Sequence, residues 1–410
     1  MARLDLPLSH GQEAASLLHA EIAEHDSIGR LYALVTHALG MSPLEHEYKV
    51  MGLAPYAQDS RSAATLAAGF QELFELTRNP LVWRRRRGVP SMYAAGSFLR
   101  TRLAGLRFDV IAAGAQRFME EFLTAWVTRA VRETGIQRVA CSGGVFMNVK
   151  ANLAILEGAG VEDLYVFPSC GDESNSIGAA CWVAASQGQS IGPLGSLYYG
   201  DPIPDPEVES AIRSSPQATR LRAQYSCDIE RLTAQKLAEG KIVARAKGPI
   251  EFGARALGNR SILARADRPE VVRRINRMIK NRDFWMPFAP SVLAQRAPDY
   301  YCKPKPVSSN YMMMAFRSRP DRRERFFAAQ HPHDFTTRPQ EVEESHNPEF
   351  YRLLKEFEVL TGEGIVLNTS LNLHGEPIAY RAQDALDVLL RSGLECLALG
   401  NWWIEKQAAS

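Results

Sequence analysis

The residues best able to do chemistry lie between Gly248 and Leu293, where glycines and cations share one stretch, GPIEFGARALGNRSILARADRPEVVRRINRMIKNRDFWMPFAPSVL. Gly248, Gly253 and Gly258 allow backbone N–H groups to approach an anion closely, and Arg255 and Arg260 supply planar forks that grip phosphate or carboxylate. Together they predict an anion cradle. Lys280 and Arg282 add positive charge at the far end of a helix expected from about Pro269 to Asn281, with Pro269 in its first turn and Val271, Ile275 and Met278 on its apolar side. A solvated basic helix is the plainer reading of a charge run. The glycines interleaved with arginines upstream decide for the cradle.

Two further stretches carry candidate ligands. Gln137 to Cys141 reads as a short strand running into Ser142-Gly143-Gly144 and then a helix, an order that points backbone N–H groups at a phosphate, although a tight turn wants the same glycines. The next strand, Asp163 to Phe167, leads to PSCGDESNSIGAA, where Asp172 can meet a metal or phosphate, cap the following helix, or do both. A single carboxylate does not hold a transition metal unaided. His10 and His19 stand nine apart, which does not place them on adjacent turns, and His331 and His333 flank a proline, as in a turn. No Ser/His/Asp arrangement suggests a covalent acyl-enzyme.

The elements that must position these groups follow from periodicity. Asp26 or Ser27 can cap a helix over Ile28 to Leu39 closed by Gly40, and a second helical piece is expected around Leu44 to Met51, ending at Gly52. Phe108 to Thr134 shows Ile111, Ala115, Phe118, Phe122, Trp126 and Ala130 at helical spacing, stopped by Gly135; its aromatic stripe reads as core. The four arginines at 84–87 read as a solvated loop rather than a polyanion site. Glycine, proline and serine dominate from Gln189 to Pro206 and mark a linker. NYMMMAF reads as a buried strand, Asn347 to Leu360 as an amphipathic helix, and Gly364 to Leu367 as a strand leading to NTSLNLHGEP.

With 410 residues and 46% apolar content the chain can fill two domain cores. A net charge of +2 argues against a nucleic-acid binder driven by bulk charge. The six cysteines include no C-x-x-C pair and read as reduced thiols of a cytoplasmic protein without a zinc framework. No apolar run is long enough for a membrane span.

EFGARALGNRSILA, the lysine helix and the PFAPSV run resemble the C-terminal domain of the O-carbamoyltransferases of nodulation-factor and antibiotic biosynthesis. Ser27, Gly29, Tyr32, Glu47, Lys49 to Ala54 and Tyr56 are similar to that family's S-x-G-x-x-Y and E-x-K-V-M-G-L-A-x-Y. Ser142 to Asn152 resembles the G-G-V-x-x-N nucleotide loop of the actin/Hsp70-like kinase superfamily. HPHDFTTRPQ resembles H-x-D-G-T-x-R-x-Q with Phe335 in place of glycine, and NTSLNLHGEP resembles N-T-S-F-N-x-x-G-E-P with Leu371 in place of phenylalanine.

The resemblance implies an α/β protein, α+β in its C-terminal half. An incomplete actin/Hsp70-like carbamoyl-transfer domain would occupy 1–190, a linker and domain entry 191–227, and a YrdC-like carbamoyl-adenylate-forming domain 228–410. It implies ATP and carbamoyl phosphate as substrates with Mg2+, and Asp172 as a metal ligand, with Fe2+ at an incomplete site. Gly143, Gly144, Asn148, Arg255, Arg260, Lys280, Arg282, Arg338 and Ser370 would bind nucleotide or carbamoyl adenylate, with Arg255, Lys280 and Arg338 catalytic. The carbamoyl group would pass to a hydroxyl of a sugar or other small-molecule acceptor. The family's upstream H-x-x-x-H pair has no counterpart here, where about two dozen residues precede the match. That departure points to a separate chain supplying the missing lobe, or a homodimer. A noncatalytic partner subunit and a threonylcarbamoyl-type tRNA modification factor are the competing readings.

Overall fold

The computed structural model describes residues 22–77, 81–192 and 194–407. His10 and His19 lie outside them. The chain forms two compact units, Met1–Gly195 and Ser196–Ser410.

The first unit is built on the helix Phe108–Thr134, which Gly135 ends in left-handed geometry at φ 70°. Its stripe is the core: Ile111, Ala115, Phe118 and Phe122 are buried, and Phe118 and Phe122 pack with Phe70, Phe74 and Trp83. Against it lie the helices Arg61–Gln71, Val149–Gly158, Glu47–Leu53 and Ile28–Ala38. Ser27 caps the last of these, its Oγ accepting from Arg30 N at 3.3 Å. Gly52 is buried inside its helix instead of ending it. The arginine run is largely consumed internally: Arg84 pairs with Glu75, Arg85 with Asp26, and Arg86 donates to Phe74 O.

The strands Arg138–Cys141 and Asp163–Val166 pair in parallel as a two-stranded sheet among the described residues. Both strands feed their C-terminal ends into candidate loops: 142–144 from one, 167–172 from the other. The helix that follows, Asn175–Ser186, has no buried residue although its sequence is mostly apolar; Trp182 and Val183 are each 47% exposed.

An eight-stranded mixed sheet, among the described residues, organises the second unit. In spatial order its strands are Gln340–Val342, Ala289–Leu293, Ile365–Ser370, Arg260–Arg265, Val243–Ala246, Cys396–Leu399, Trp402–Lys406 and Leu221–Tyr225. The central strands are buried along nearly their whole length, only Arg265 among those in the cited strands being partly exposed, so both faces are covered. On one face Ile229, Leu237, Phe350, Leu353 and Phe357, from the helices Ile229–Ala238 and Pro348–Thr361, pack with Val243, Leu263, Leu293 and Val366 of the sheet. Residues 205–225, expected as domain entry, contribute the helix Asp205–Ser214 and an edge strand. NYMMMAF is buried as expected, but only Phe316 begins a strand; Met312 turns the chain at φ 58°.

Candidate functional site

The cations sit around the end of the strand Ile365–Ser370, and the helix Pro269–Ile275 delivers two of them. Regular α-helix stops at Ile275; a π-helical turn, Asn276–Lys280, follows, and Asn281 closes it at φ 41°. The sequence predicted Met278 on the apolar side. The wider turn shifts the register, so Ile279 and Lys280 become buried instead, Lys280 to 3% exposure. Lys280 Nζ donates to Ser370 Oγ at 3.1 Å, Asn372 O at 3.2 Å and Asn372 Oδ1 at 2.6 Å. Ser370 Oγ donates to the same Asn372 Oδ1 at 2.6 Å. Two residues on, Arg282 donates to Thr369 Oγ1 at 3.1 Å and lies 5.0 Å above the Phe288 ring.

Arg255 and Arg338 complete the group from two other segments. Burial drives the Arg338 guanidinium well below its ordinary value, and the charges of Arg255 and Arg282 push the same way. Burial, with Arg282 behind it, lowers the Lys280 ammonium to about 6. A guanidinium keeps its proton in proteins, so the pull on Arg338 measures how unfavourable its charge is without a counter-anion. Its Nε is buried with no hydrogen-bond partner. Arg338 thus feels Arg255 and Arg282, Lys280 feels Arg282, and Lys280 and Arg282 bond the neighbouring Ser370 and Thr369 hydroxyls, so four cations from three segments gather near the end of one strand.

The glycine loop does something the sequence did not suggest. Its backbone N–H groups already hold an anion, the carboxylate of Glu251: Oε1 accepts from Leu257 N at 2.6 Å, Asn259 N at 3.2 Å and Arg260 N at 3.3 Å. Gly258 N donates to Ser261 Oγ at 3.0 Å. Gly258 itself is required, because φ is 113° and a Cβ there would collide with the Phe350 ring. The cradle is therefore internal, and what the loop presents is Arg255.

Its carbonyls are pinned as well. Leu257 O accepts from Tyr198 OH at 2.7 Å and from Gln340 Nε2 at 2.8 Å, and Ala256 O accepts from Asn368 Nδ2 at 3.1 Å. Ser291 Oγ joins Gln340 and Asn368 into one buried network, donating to Gln340 Oε1 at 2.6 Å and accepting from Asn368 Nδ2 at 2.8 Å. Gln340 ends the TTRPQ motif and Asn368 begins NTS, so both motifs serve to fix Arg255.

Arg260 stands apart from the other arginines. Fully buried, it donates to Gly248 O, Asn259 O and Tyr380 O, and burial lowers it to about 10 against the opposing charge of Glu251. Its forks are spent on backbone carbonyls. Glu251, Gln340 and Tyr198 are the supporting residues that sequence reasoning missed; Glu251 had a signal, an acid enclosed by Gly248 and Gly253.

His331 forms a turn. Its Nδ1 accepts from His333 N at 3.2 Å and Asp334 N at 3.4 Å, and Asp334 Oδ1 in turn accepts from Thr336 N at 3.1 Å. Phe335 adopts φ 55°, the left-handed conformation that a glycine would take without strain, and its ring carries the Arg323 guanidinium at 4.0 Å.

In the first unit Gly143 has φ 104° and Gly143 and Gly144 are exposed, with open space where a Cβ would project. Asn148 is occupied: its Oδ1 caps Ala151 N at 3.1 Å, and its amide exchanges hydrogen bonds with Gln116 at 3.0 and 2.9 Å. Asp172 is exposed in the single turn Asp172–Ser174 before the helix Asn175–Ser186. Among the described residues no group of three or more His, Cys, Asp or Glu side chains is placed to hold a metal, and no helix is long and apolar enough to cross a membrane.

A mixed α/β chain with this cluster of cations belongs to the carbamoyltransferase family: the family's N-terminus description matches residues 6–181 and its C-terminus description residues 234–406. Among its relatives, nodulation protein NolO of Bradyrhizobium diazoefficiens is 31% identical over 94% of this chain and 70% of its own length. Nodulation protein NolNO of Sinorhizobium fredii is 31% identical over 99% of this chain and 59% of its own length. An uncharacterized protein of Methanocaldococcus jannaschii is 32% identical over 93% of this chain, which spans 62% of that relative's length. A structure of full-length HypF in the phosphate- and nucleotide-bound form matches at a TM-score of 0.29 and 19% identity, over 45% of this chain and 22% of that one, too slight a likeness to carry an argument.

Proposed function

We propose that the second unit is a YrdC-like domain that makes carbamoyl adenylate from ATP and carbamoyl phosphate. We further propose that the first unit, an actin/Hsp70-like lobe, transfers the carbamoyl group to a hydroxyl of a sugar or other natural product. The observation that carries this reading is the gathering of cations at the end of the strand Ile365–Ser370, Lys280 on Ser370 and Asn372 and Arg282 on Thr369, with Arg338 within electrostatic reach of Arg255 and Arg282, a charge excess that a polyphosphate relieves. Carbamoyl phosphate is hydrolysed to carbamate and phosphate, consuming one water. A carbamate oxygen then attacks the α-phosphorus of ATP and pyrophosphate leaves. Arg255 and Arg338 offset the negative charge that gathers as the two anions meet, and the hydrogen-bonded frame around them needs no rearrangement at that moment. In the second step the acceptor hydroxyl attacks the carbamoyl carbon, loses its proton and displaces AMP.

Asp172, at the C-terminal edge of the parallel strand pair, can contribute one carboxylate to Mg2+ or Fe2+, and the exposed Gly143-Gly144 turn can approach a phosphate. The test is exchange of labelled pyrophosphate into ATP. It should depend on carbamoyl phosphate and be abolished by Arg255→Ala; no exchange in the purified chain, with or without a companion subunit, would overturn the reading.

A second reading, a half-enzyme completed by a separate chain or a second copy, is favoured by the helix Asn175–Ser186. A mostly apolar helix with no buried residue is the kind of face that interfaces cover. Light scattering of the chain alone and mixed with the product of an adjacent reading frame tests it, and a monomer that ignores its neighbour would refute it.

A further inference from the structure

We propose that Lys280 stands in the ligand-free protein as a neutral amine and takes up a proton when a phosphate anion enters, so that anion binding at this site is proton-coupled. The inference rests on the adenylate-forming reading for the identity of the anion, and on the surroundings of the amine for everything else.

Those surroundings contain no negative charge. Lys280 is 3% exposed. Its partners are a serine hydroxyl, a side-chain amide oxygen and a backbone carbonyl, and among the described residues no carboxylate touches it. The charged groups nearby repel a proton or are engaged elsewhere. Arg282 is the cation that acts on it directly, and Arg338 in turn feels both Arg282 and Arg255. Glu376, on the loop that carries Asn372, turns its carboxylate to Arg391 at 2.7 Å.

Hydrogen-bond bookkeeping shows that the site accommodates both protonation states. A neutral amine has two hydrogens and a lone pair: the hydrogens go to Asn372 O and Oδ1, and the Ser370 hydroxyl can turn toward the lone pair. A charged amine has three hydrogens, and all three oxygens accept, while the Ser370 hydrogen swings to Asn372 Oδ1 at 2.6 Å. Only one hydroxyl rotor must move. Asn372 is fixed by donating to Leu373 O at 3.0 Å and Glu376 O at 2.6 Å, so the frame does not follow the proton. Burial depresses the amine to about 6, and an entering anion supplies the counter-charge that raises it again.

The sign follows from linkage. Above about pH 6 the free site lacks the proton that the bound site holds, so anion affinity falls as pH rises, by about tenfold per unit, until the bound-state value is passed.

Pyrophosphate is the probe. Calorimetric titration at pH 7.5 in buffers of different ionisation enthalpy should show wild type taking up close to one proton more than Lys280→Arg, whose charge is permanent. Equal uptake by the two proteins overturns the proposal. Lysine-selective carbon-13 NMR of the ligand-free wild type reads Lys280 directly, its resonance assigned by its loss in Lys280→Arg. A midpoint near 6 supports the neutral amine, and a midpoint at the ordinary lysine value overturns the proposal whether or not pyrophosphate binds. A depressed midpoint without binding of ATP or pyrophosphate counts against the adenylate reading alone.

Discussion

Replacing Arg338 with methionine should move stability and anion affinity in opposite directions. The guanidinium is held beside Arg255 and Arg282, its Nε has no hydrogen-bond partner, and burial already disfavours its charge. Methionine keeps much of the apolar stem and removes the repulsion. Replacing even a buried ion pair by apolar side chains of similar volume is often neutral or stabilising by about 1–4 kcal/mol, and here the charge removed faces other cations. Arg338 is only partly buried by surface area, so solvent screening discounts the gain to about 1 kcal/mol. For a body of roughly 200 residues that is a rise of about 2–4 °C in melting temperature. On the proposed reading the same change would delete a charge-assisted hydrogen bond to phosphate worth about 1.5–3 kcal/mol, so pyrophosphate affinity should fall by about 10- to 150-fold. Differential scanning fluorimetry with and without pyrophosphate reads both effects on one sample: the variant melts higher when empty and gains less from the ligand. A variant that melts lower than wild type without ligand would refute the reasoning, because Arg338 would then be a structural cation already compensated inside the fold.

Two further outcomes follow from the same frame. Glu251→Gln removes the charge that three loop N–H groups share and should cost about 1–3 kcal/mol, with hydrogen exchange accelerating at Leu257, Asn259 and Arg260 before it does in the sheet; unchanged exchange there would show that the loop does not depend on its internal anion. For Lys280 the ordinary value of 10.5 applies in the unfolded chain and about 6 in the folded one, so between these pH values the unfolded state binds the extra proton. Stability should therefore rise with pH across that window, by up to about 1.4 kcal/mol per unit from this group, and the rise should vanish in Lys280→Met; denaturant midpoints at pH 6.5 and 8.5 that shift equally in both proteins would exclude it.

Much of this was legible in the residues. Periodicity located the long helix at 108–134 and its cap, because a 27-residue amphipathic stretch closed by glycine has few alternatives. That Arg255, Lys280, Arg282 and Arg338 would come near one another was legible as residue types, but the glycines serve the internal carboxylate of Glu251 rather than an outside anion. What escaped was direction. Arg255 and Arg260 look equivalent in sequence, yet strand register buries Arg260 among carbonyls while the loop brings Arg255 within electrostatic reach of Arg338. Helical counting put Met278 inward and could not foresee the π-turn that substitutes Lys280, because a wider turn leaves no local signature. The tertiary partners of the loop, Tyr198 and Gln340, lie far from it along the chain, and only the folded sheet brings them to Leu257.

Because the protein folds around its own carboxylate at Glu251, the arginine-bearing loop is already set before the proposed anion arrives. No segment has to freeze on arrival. Capture is then governed by how often the molecules meet and by ionic atmosphere, in the manner of a rigid receptor, and the free and occupied states should share one backbone trace across 251–260.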